Sequence, residues 1–451
     1  MLFFLFSCGS PQKPSANSGE MVFQSVNIIP MDREEVIANQ DVVTKDGRII
    51  AIGNAGNVGY DKKALIIDGK GKYLIPGLAE MHAHVPPIDD IEPMKKVLML
   101  FSVNGITTIR GMLGHPRHLE LRSKIQSGEI PGPHFYTSGP SFNGNSVKSP
   151  ESAEAMVIEQ KKAGYDFFKL HPGLSKENFA AIAKKAKELN MRFAGHVSYD
   201  VGVWRAIEAG YASIDHLDGF VESLVPGVDN IKEQDRGLFG LFIANKADTA
   251  KIPALMKALH DGGIWVVPTQ ALAERWFTPL KTADAFSKDP EMIYMTEKTL
   301  NNWVNNKNEL LKDARYDSAS VMALIDLRRK LSQACQQHAV GILSGSDAPQ
   351  VFDVPGFSLH QELQYMVAAG LTPYQALVTS TVNVAKYFGL TDAGTIRTGN
   401  LSDLVLLNGN PLTDISQTMN IEGVMLGKNW MPKDTINSVL QSLKRKIVQR
   451  D

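Results

Sequence analysis

An α/β architecture is predicted: a (β/α)8 TIM barrel over residues 76–393, joined to a small β-sandwich built from both chain ends, residues 21–75 and 394–435. Three observations predict it. Short strand-like runs without helices occupy the two ends. Between them, apolar strand-like runs alternate with amphipathic helical runs, the pattern of a parallel sheet built from βα units. Eight such runs spread over roughly 300 residues suit a barrel with insertions.

From Met21 to Tyr73 the strand-like runs are Val22 to Ile29, Asp41 to Thr44, Arg48 to Ile52 and Ala64 to Asp68. Turn chemistry at Asp46-Gly47 and Gly69-Lys70-Gly71 separates them. The same texture returns in Gly394-Thr395-Ile396, in Asp403 to Leu407, and beyond Asn410-Pro411 in Val424 to Leu426. A terminal helix is expected over 436–451. The barrel strands are expected to end near His84, Ile109-Arg110, Tyr136-Thr137, Lys169, His196, His216, Val267-Pro268 and Ser346-Asp347. Helical apolar spacing marks Ala180 to Leu189 and Leu363 to Val367. Residues 221–260 and 271–335 exceed the usual βα loop length, are rich in helix formers and carry Trp276, Phe277 and Trp303. They are expected to be lids or pocket walls, or else an outer helical elaboration.

The 451 residues can bury a sizeable core, and 47 Lys+Arg against 48 Asp+Glu leave almost no net charge. Such balance gives no global field for nucleic acid or an anionic membrane, so no nucleic acid is expected and a small, roughly neutral substrate is. Two cysteines, Cys8 and Cys335, cannot build a disulfide framework and lack zinc-knuckle spacing. A metal must therefore rest on histidine, carboxylate and lysine. No stretch after the first residues approaches the length needed to span a bilayer. The composition leaves the oligomeric state open, a homo-oligomer included.

One stretch carries the chemistry. Leu74 to Val85 is an apolar run ending in His82 and His84, and alternate residues of an extended chain share a face, so both rings can reach one divalent ion. The pair alone is weak evidence. Four further strand ends carry a group able to bind metal: Lys169, His196, His216 and Asp347. A TIM barrel gathers the C-terminal ends of its strands at one rim. Residues far apart in sequence would converge there, and a metal site follows.

As a set, Ile75-Pro76-Gly77-Leu78 with the His82/His84 pair, Asn104 to Arg110, Asp166-Phe167-Phe168-Lys169, His196, His216, Gly345-Ser346-Asp347 and Gly399 to Leu406 resemble the amidohydrolase superfamily. Within it the resemblance is to the binuclear group that contains imidazolonepropionase-like hydrolases and Xaa-Pro or Xaa-Arg/Lys dipeptidases. The resemblance implies two divalent metal ions, with zinc (Zn2+) the first expectation. His82, His84 and Asp347 would hold one and His196 and His216 the other, with Lys169, carboxylated by carbon dioxide to a carbamate, bridging them. A free ammonium would repel two dications, so Lys169 can be a ligand only when neutral or carboxylated, and burial at a strand end lowers its pKa.

The resemblance further implies attack by a metal-bridged hydroxide on the amide carbonyl, with Asp347 as general acid/base. The expected substrate carries an amide next to a free carboxylate, as in a dipeptide or N-acyl amino acid. Tyr199 and Arg205 resemble the pair with which related dipeptidases grip that carboxylate. His171, two residues after Lys169, and Arg110, at the second strand's end, are further expected substrate contacts. His115 and His118 are expected to be exposed in a polar loop. The alternatives are a cyclic-amide (imidazolonepropionase-like) or lactone hydrolase and, in another class, a non-catalytic surface-binding lipoprotein.

The last alternative has a sequence motive. Met1 to Ser10 resembles the end of a bacterial lipoprotein signal peptide, with Leu5-Phe6-Ser7-Cys8 as the lipobox and residues 9–20 as a flexible tether to a lipid anchor at Cys8. No basic region precedes it. This implies a bacterial cell envelope location, periplasmic or outer-membrane-anchored; without the leader the chain would be cytoplasmic.

Overall fold

The computed structural model describes residues 19–444. The expected leader, Cys8 and residues 9–18 of the expected tether lie outside the described residues, while Glu20, expected in the tether, opens the first strand; residues 445–451 of the expected terminal helix also lie outside, and that helix spans Lys433–Leu443.

Five strands open the chain: β1 (Glu20–Ile28), β2 (Ile37–Lys45), β3 (Arg48–Asn54), β4 (Leu65–Asp68) and β5 (Tyr73–Pro76). Seven short parallel strands follow: β6 (Leu78–Ala83), β7 (Ile106–Gly111), β8 (His134–Thr137), β9 (Phe168–Leu170), β10 (Phe193–Gly195), β11 (Ser213–Asp215) and β12 (Trp265–Val267). The chain closes with β13 (Leu404–Leu407), β14 (Ile421–Leu426) and β15 (Asn429–Pro432).

The two chain ends form one hydrogen-bonded sheet of eight strands, in the order β15-β14-β13-β5-β1-β2-β3 with β4 also on β1. The two ends pair as the expected β-sandwich requires, but through a single continuous sheet. Phe23 on β1 and Trp430 on β15 stand four places apart, which in a flat sheet at about 4.8 Å per strand would be roughly 20 Å. Their rings instead meet edge-on at 5.2 Å, so the sheet curls over its own inner face, which includes Val42, Leu74, Leu404 and Met425. Gly394-Thr395-Ile396 is not a strand. It runs past the sheet, with Ile396 N–H donating to Pro30 O (3.0 Å) and its side chain buried in that core.

The parallel strands fall into a three-stranded sheet, β6-β7-β8, and a four-stranded sheet, β12-β11-β10-β9. A parallel bridge Ser138/Phe167 joins them on one side. On the other, the run Ile342 to Ser344 bridges to Val266, and Met81 N–H donates to Ser344 O at 2.8 Å. Most strand residues here are buried, as expected of strands covered on both faces. Gly77 makes the turn from β5 into β6, where a Cβ would lie 2.1 Å from Thr107 Oγ1.

Helices fill the connections. Pro150–Ala163 shows why they form where they do: Ser149 caps its first turn in a reciprocal box with Ser152, and Gly164 ends it at φ 89°. The two long insertions are largely helical, with Ile252–Asp261 in the first and Glu297–Lys312 and Ser318–Gln337 in the second. No helix among the described residues is long and apolar enough to cross a membrane.

Candidate active site

His82 leaves β6 fully buried, and its Nε2 lies 3.5 Å from Asp347 Oδ1 and 3.4 Å from Lys169 Nζ. His84, one pleat further on, brings Nε2 to 2.5 Å from the same Asp347 oxygen. The other Asp347 oxygen is 3.9 Å from His216 Nδ1. Ligand atoms of His82, His216 and Asp347 all fall within 4.8 Å of one another. The His196 ring stacks on His216 at 4.3 Å, and the His171 ring lies 5.0 Å from His196. All six expected ligands therefore converge at the C-terminal ends of the parallel strands.

Carboxylates stand behind two of the rings. His82 Nδ1 stands 2.8 Å from Asp215 Oδ2, and His196 Nδ1–H donates to Asp218 Oδ2 at 2.7 Å. A carboxylate only accepts, so the His196 ring keeps its proton on Nδ1 and turns a lone pair on Nε2 toward the cluster, whereas His82 Nδ1 lies close to Asp215 without a hydrogen bond among the described residues. Glu80 accepts from the backbone N–H groups of His82 and Ser346 and from Ser346 Oγ–H, tying the two ligand-bearing strand ends together. Gly345 permits the close approach, since a Cβ there would sit 2.8 Å from His82 N.

Burial shapes the charges. It drives the His82 and His216 pKa values well below the usual imidazole range, helped by Lys169 at His82 and by His196 at His216. The Lys169 ammonium, 0% exposed, is brought down to about 8 by burial, against the pull of Asp215 and Asp347. Neutral imidazoles and a deprotonatable amine are the donor states a metal requires.

The donor set fits a divalent metal on one further observation. His216 Nε2 is buried with no hydrogen-bond partner among the described residues. A buried ring nitrogen without a partner is costly, and beside histidines and a carboxylate it is an ordinary metal ligand. The backbone around it is strained to match: His216 (φ 63°), Thr269 (φ 49°) and Asp347 (φ 70°) all adopt the left-handed conformation. Buried Arg328 holds this arrangement, donating from Nη1 to His216 O at 2.6 Å and from Nη2 to Pro268 O at 2.5 Å.

The expected substrate contacts fare differently. Arg110 is fully buried beneath the cluster, donating to Asp215, Ser213 Oγ, Tyr387 Oη and Met81 O, so it supports His82 through Asp215 and cannot meet a substrate. Arg205 is exposed and donates to Val201 O on its own helix (2.9 Å). Tyr199 gives its hydroxyl to Gly237 O (2.9 Å). His171 bonds Ser141 beside His196. His118, expected to be exposed, is buried in helix Pro116–Gln126 with Nε2 3.1 Å from Pro86 O, because the segment Pro116–Gln126 is helical and turns it inward.

Sequence reasoning missed Asp215, Asp218, Thr269 and Phe239. Asp215 had a local signal: Ser213 and Asp215 alternate with Ile214 on β11, and Ser213 Oγ–H donates to Asp215 Oδ1 at 2.7 Å, on the face away from the ligand His216. Thr269, 2.9 Å from His216 Nδ1, and Phe239, stacked on His216 at 5.3 Å, had none. Phe239 also shows that the 221–260 insertion walls the site.

Residues 73–431 match the amidohydrolase family. The chain belongs to that family. This amidohydrolase is an enzyme of that class, and it is 24% identical over 424 residues to an ochratoxinase of Aspergillus niger, a match covering 86% of this chain and 81% of that one. It is 23% identical over 436 residues to an adenine deaminase of Deinococcus deserti, covering 91% of this chain but only 63% of the deaminase, so it spans less than two thirds of that relative. Among solved structures it superimposes on a Xaa-Pro dipeptidase with bound methionine at TM-score 0.67 and 19% identity, covering 92% of this chain and 100% of the dipeptidase. At that identity the likeness speaks for the fold.

Proposed function

We propose that this amidohydrolase hydrolyses an amide bond next to a free carboxylate, in a dipeptide or N-acyl amino acid, at a centre of two divalent metal ions. The observation that carries the reading is that His82, His216 and Asp347 bring ligand atoms within 4.8 Å of one another, with His84 against Asp347, Lys169 against His82, His196 stacked on His216, and Asp218 fixing the His196 tautomer. In this reading the parallel strands close as a (β/α)8 barrel. Support comes from the hydrogen bonds that join the two parallel sheets through Ser138/Phe167 and through Ile342 to Ser344. Residues 76–393 form that barrel and both chain ends the accessory sheet.

His82, His84 and Asp347 would hold one ion and His196 and His216 the other, zinc being the first candidate. Lys169 would lie between them as a carbamate, formed when its uncharged amine adds to carbon dioxide and loses a proton. Bound there, the ions supply a lowered pKa for water and polarisation of the scissile carbonyl. The chain's own residues do the rest. Asp347, 5% exposed and in reach of His82, His84 and His216, accepts the proton of the attacking water and delivers it to the leaving nitrogen. Phe239, packed on His216, keeps bulk water from the ring cluster.

The test is a screen of metal-loaded protein against dipeptides and N-acyl amino acids, with purines, cyclic amides and lactones as the counter-panel. The expected result is turnover only where a free carboxylate flanks the amide, two metal ions per chain, and in Asp347→Asn a fall in turnover of about 10²–10⁴-fold with most metal retained. Turnover confined to the counter-panel, or a fully active Asp347→Asn, overturns the reading.

A further inference from the structure

His196 has a carboxylate, Asp218, behind its ring, and His82 has Asp215 close by. The group behind His216 is instead a neutral hydroxyl, Thr269 Oγ1, 2.9 Å from Nδ1. Both residues are buried, and among the described residues that hydroxyl has no other hydrogen-bond partner.

Thr269 is held in an unusual conformation to make this contact. Its φ of 49° is left-handed, a region that a β-branched residue rarely enters. The chain is pinned on either side of it. Before it, Arg328 donates to His216 O and Pro268 O. After it, the N–H groups of Gln270 and Ala271 donate to the Glu362 carboxylate at 3.0 and 2.6 Å. Strain of this kind persists only where the surroundings over-determine it, and it collects at functional sites. Here the pins aim one hydroxyl at one ring nitrogen.

The direction of that hydrogen bond decides what His216 can do. With the proton on Nδ1 the ring donates to Thr269, and Nε2, which has no hydrogen-bond partner among the described residues, carries a lone pair. With the proton on Nε2, a buried N–H would lack an acceptor, at a cost. Asp347 Oδ2, 3.9 Å from Nδ1, also places negative charge on the side where the first arrangement puts the proton.

We propose that Thr269 is a positioning residue for the metal: its hydroxyl accepts the Nδ1 proton of His216 and so presents Nε2 as a ligand. The role needs a metal at the cluster, but neither the substrate nor the number of ions proposed above.

Two measurements test it without turnover. In full-length, metal-free protein carrying isotopically labelled histidine, NMR correlation of ring nitrogens with ring protons reads each tautomer, and His216→Gln assigns the His216 signals. His216 should be protonated at Nδ1 in the wild type and in Thr269→Ser, and should lose that preference in Thr269→Val, which keeps the shape and removes the acceptor. Titration of the zinc-loaded protein with a competing chelator should show zinc held about 10- to 100-fold more weakly in Thr269→Val and within a few-fold of wild type in Thr269→Ser. Circular dichroism establishes that each variant is folded. Should Thr269→Val not fold, Thr269→Ser against Thr269→Ala, which differ only in the hydroxyl, decides. A wild-type His216 protonated at Nε2, or a variant without the hydroxyl that holds zinc as tightly as Thr269→Ser, overturns the proposal. The expected tautomer and zinc results without hydrolysis of a carboxylate-flanked amide would keep the role of Thr269 and remove the assigned reaction.

Discussion

Asp215 is the residue on which the buried machinery turns. Its carboxylate receives Arg110 Nη2 at 3.2 Å on both oxygens, Ser213 Oγ–H at 2.7 Å, and faces His82 Nδ1 at 2.8 Å. Replacing it by Asn keeps the shape and removes the charge. Arg110, 0% exposed, is then left without an anionic partner, and breaking a buried pair from one side costs about 3–5 kcal/mol. The change also removes the negative charge that stands 2.8 Å from His82 Nδ1, and losing such a carboxylate behind a ligand ring weakens metal binding roughly 10- to 100-fold. Chemical denaturation reads the first effect and competitive chelator titration the second. A double variant, Asp215→Leu with Arg110→Met, removes both charges and should recover much of the stability without recovering the metal affinity. If Asp215→Asn unfolds within about 1 kcal/mol of wild type and holds metal equally tightly, the Asp215 charge supports neither Arg110 nor His82 and the reasoning fails.

Two further predictions concern the frame. In Gly345→Ala the new Cβ would meet Val267 Cγ1 at 2.6 Å and His82 N at 2.8 Å, so a loss of about 1–3 kcal/mol in a denaturant titration and a lower metal content by atomic emission are expected. His134 on β8 stands 2.8 Å from Asp403, whose hydrogen bond raises the imidazole pKa above 6.5. The protonated ring is therefore favoured by folding, so its stabilisation is full below pH 6.5 and fades as pH rises through the raised value. Its side chain is half exposed and the effect is small. His134→Gln should denature earlier than wild type near pH 6 and like it near pH 9, and equal midpoints at the lower pH would refute the pairing.

Much of the site was legible because its residue types are rare at strand ends. His82, His84, Lys169, His196, His216 and Asp347 each close an apolar run, and a period-two pattern says which face they share. The supporting residues were less visible. Arg110 looked like a rim cation because sequence cannot tell that Asp215, over a hundred positions later, lies beneath it. His118 looked exposed because its neighbours are polar, while its helix turns that one ring inward.

The sequence by itself determined the alternation of strands and helices, the strand-end ligands and, through them, the class of chemistry. These depend on local periodicity and on side-chain donors that keep their character in any fold. Only the tertiary structure decided that the two chain ends form one curled sheet, that Asp215 stands behind His82 and Asp218 sets the His196 tautomer, that Phe239 and Thr269 enclose His216, and that Glu222 Oε2 is buried without a hydrogen-bond partner. Each of those depends on groups brought together across long stretches of chain, where the packing of neighbours, not the residue's own pattern, sets burial, partner and charge.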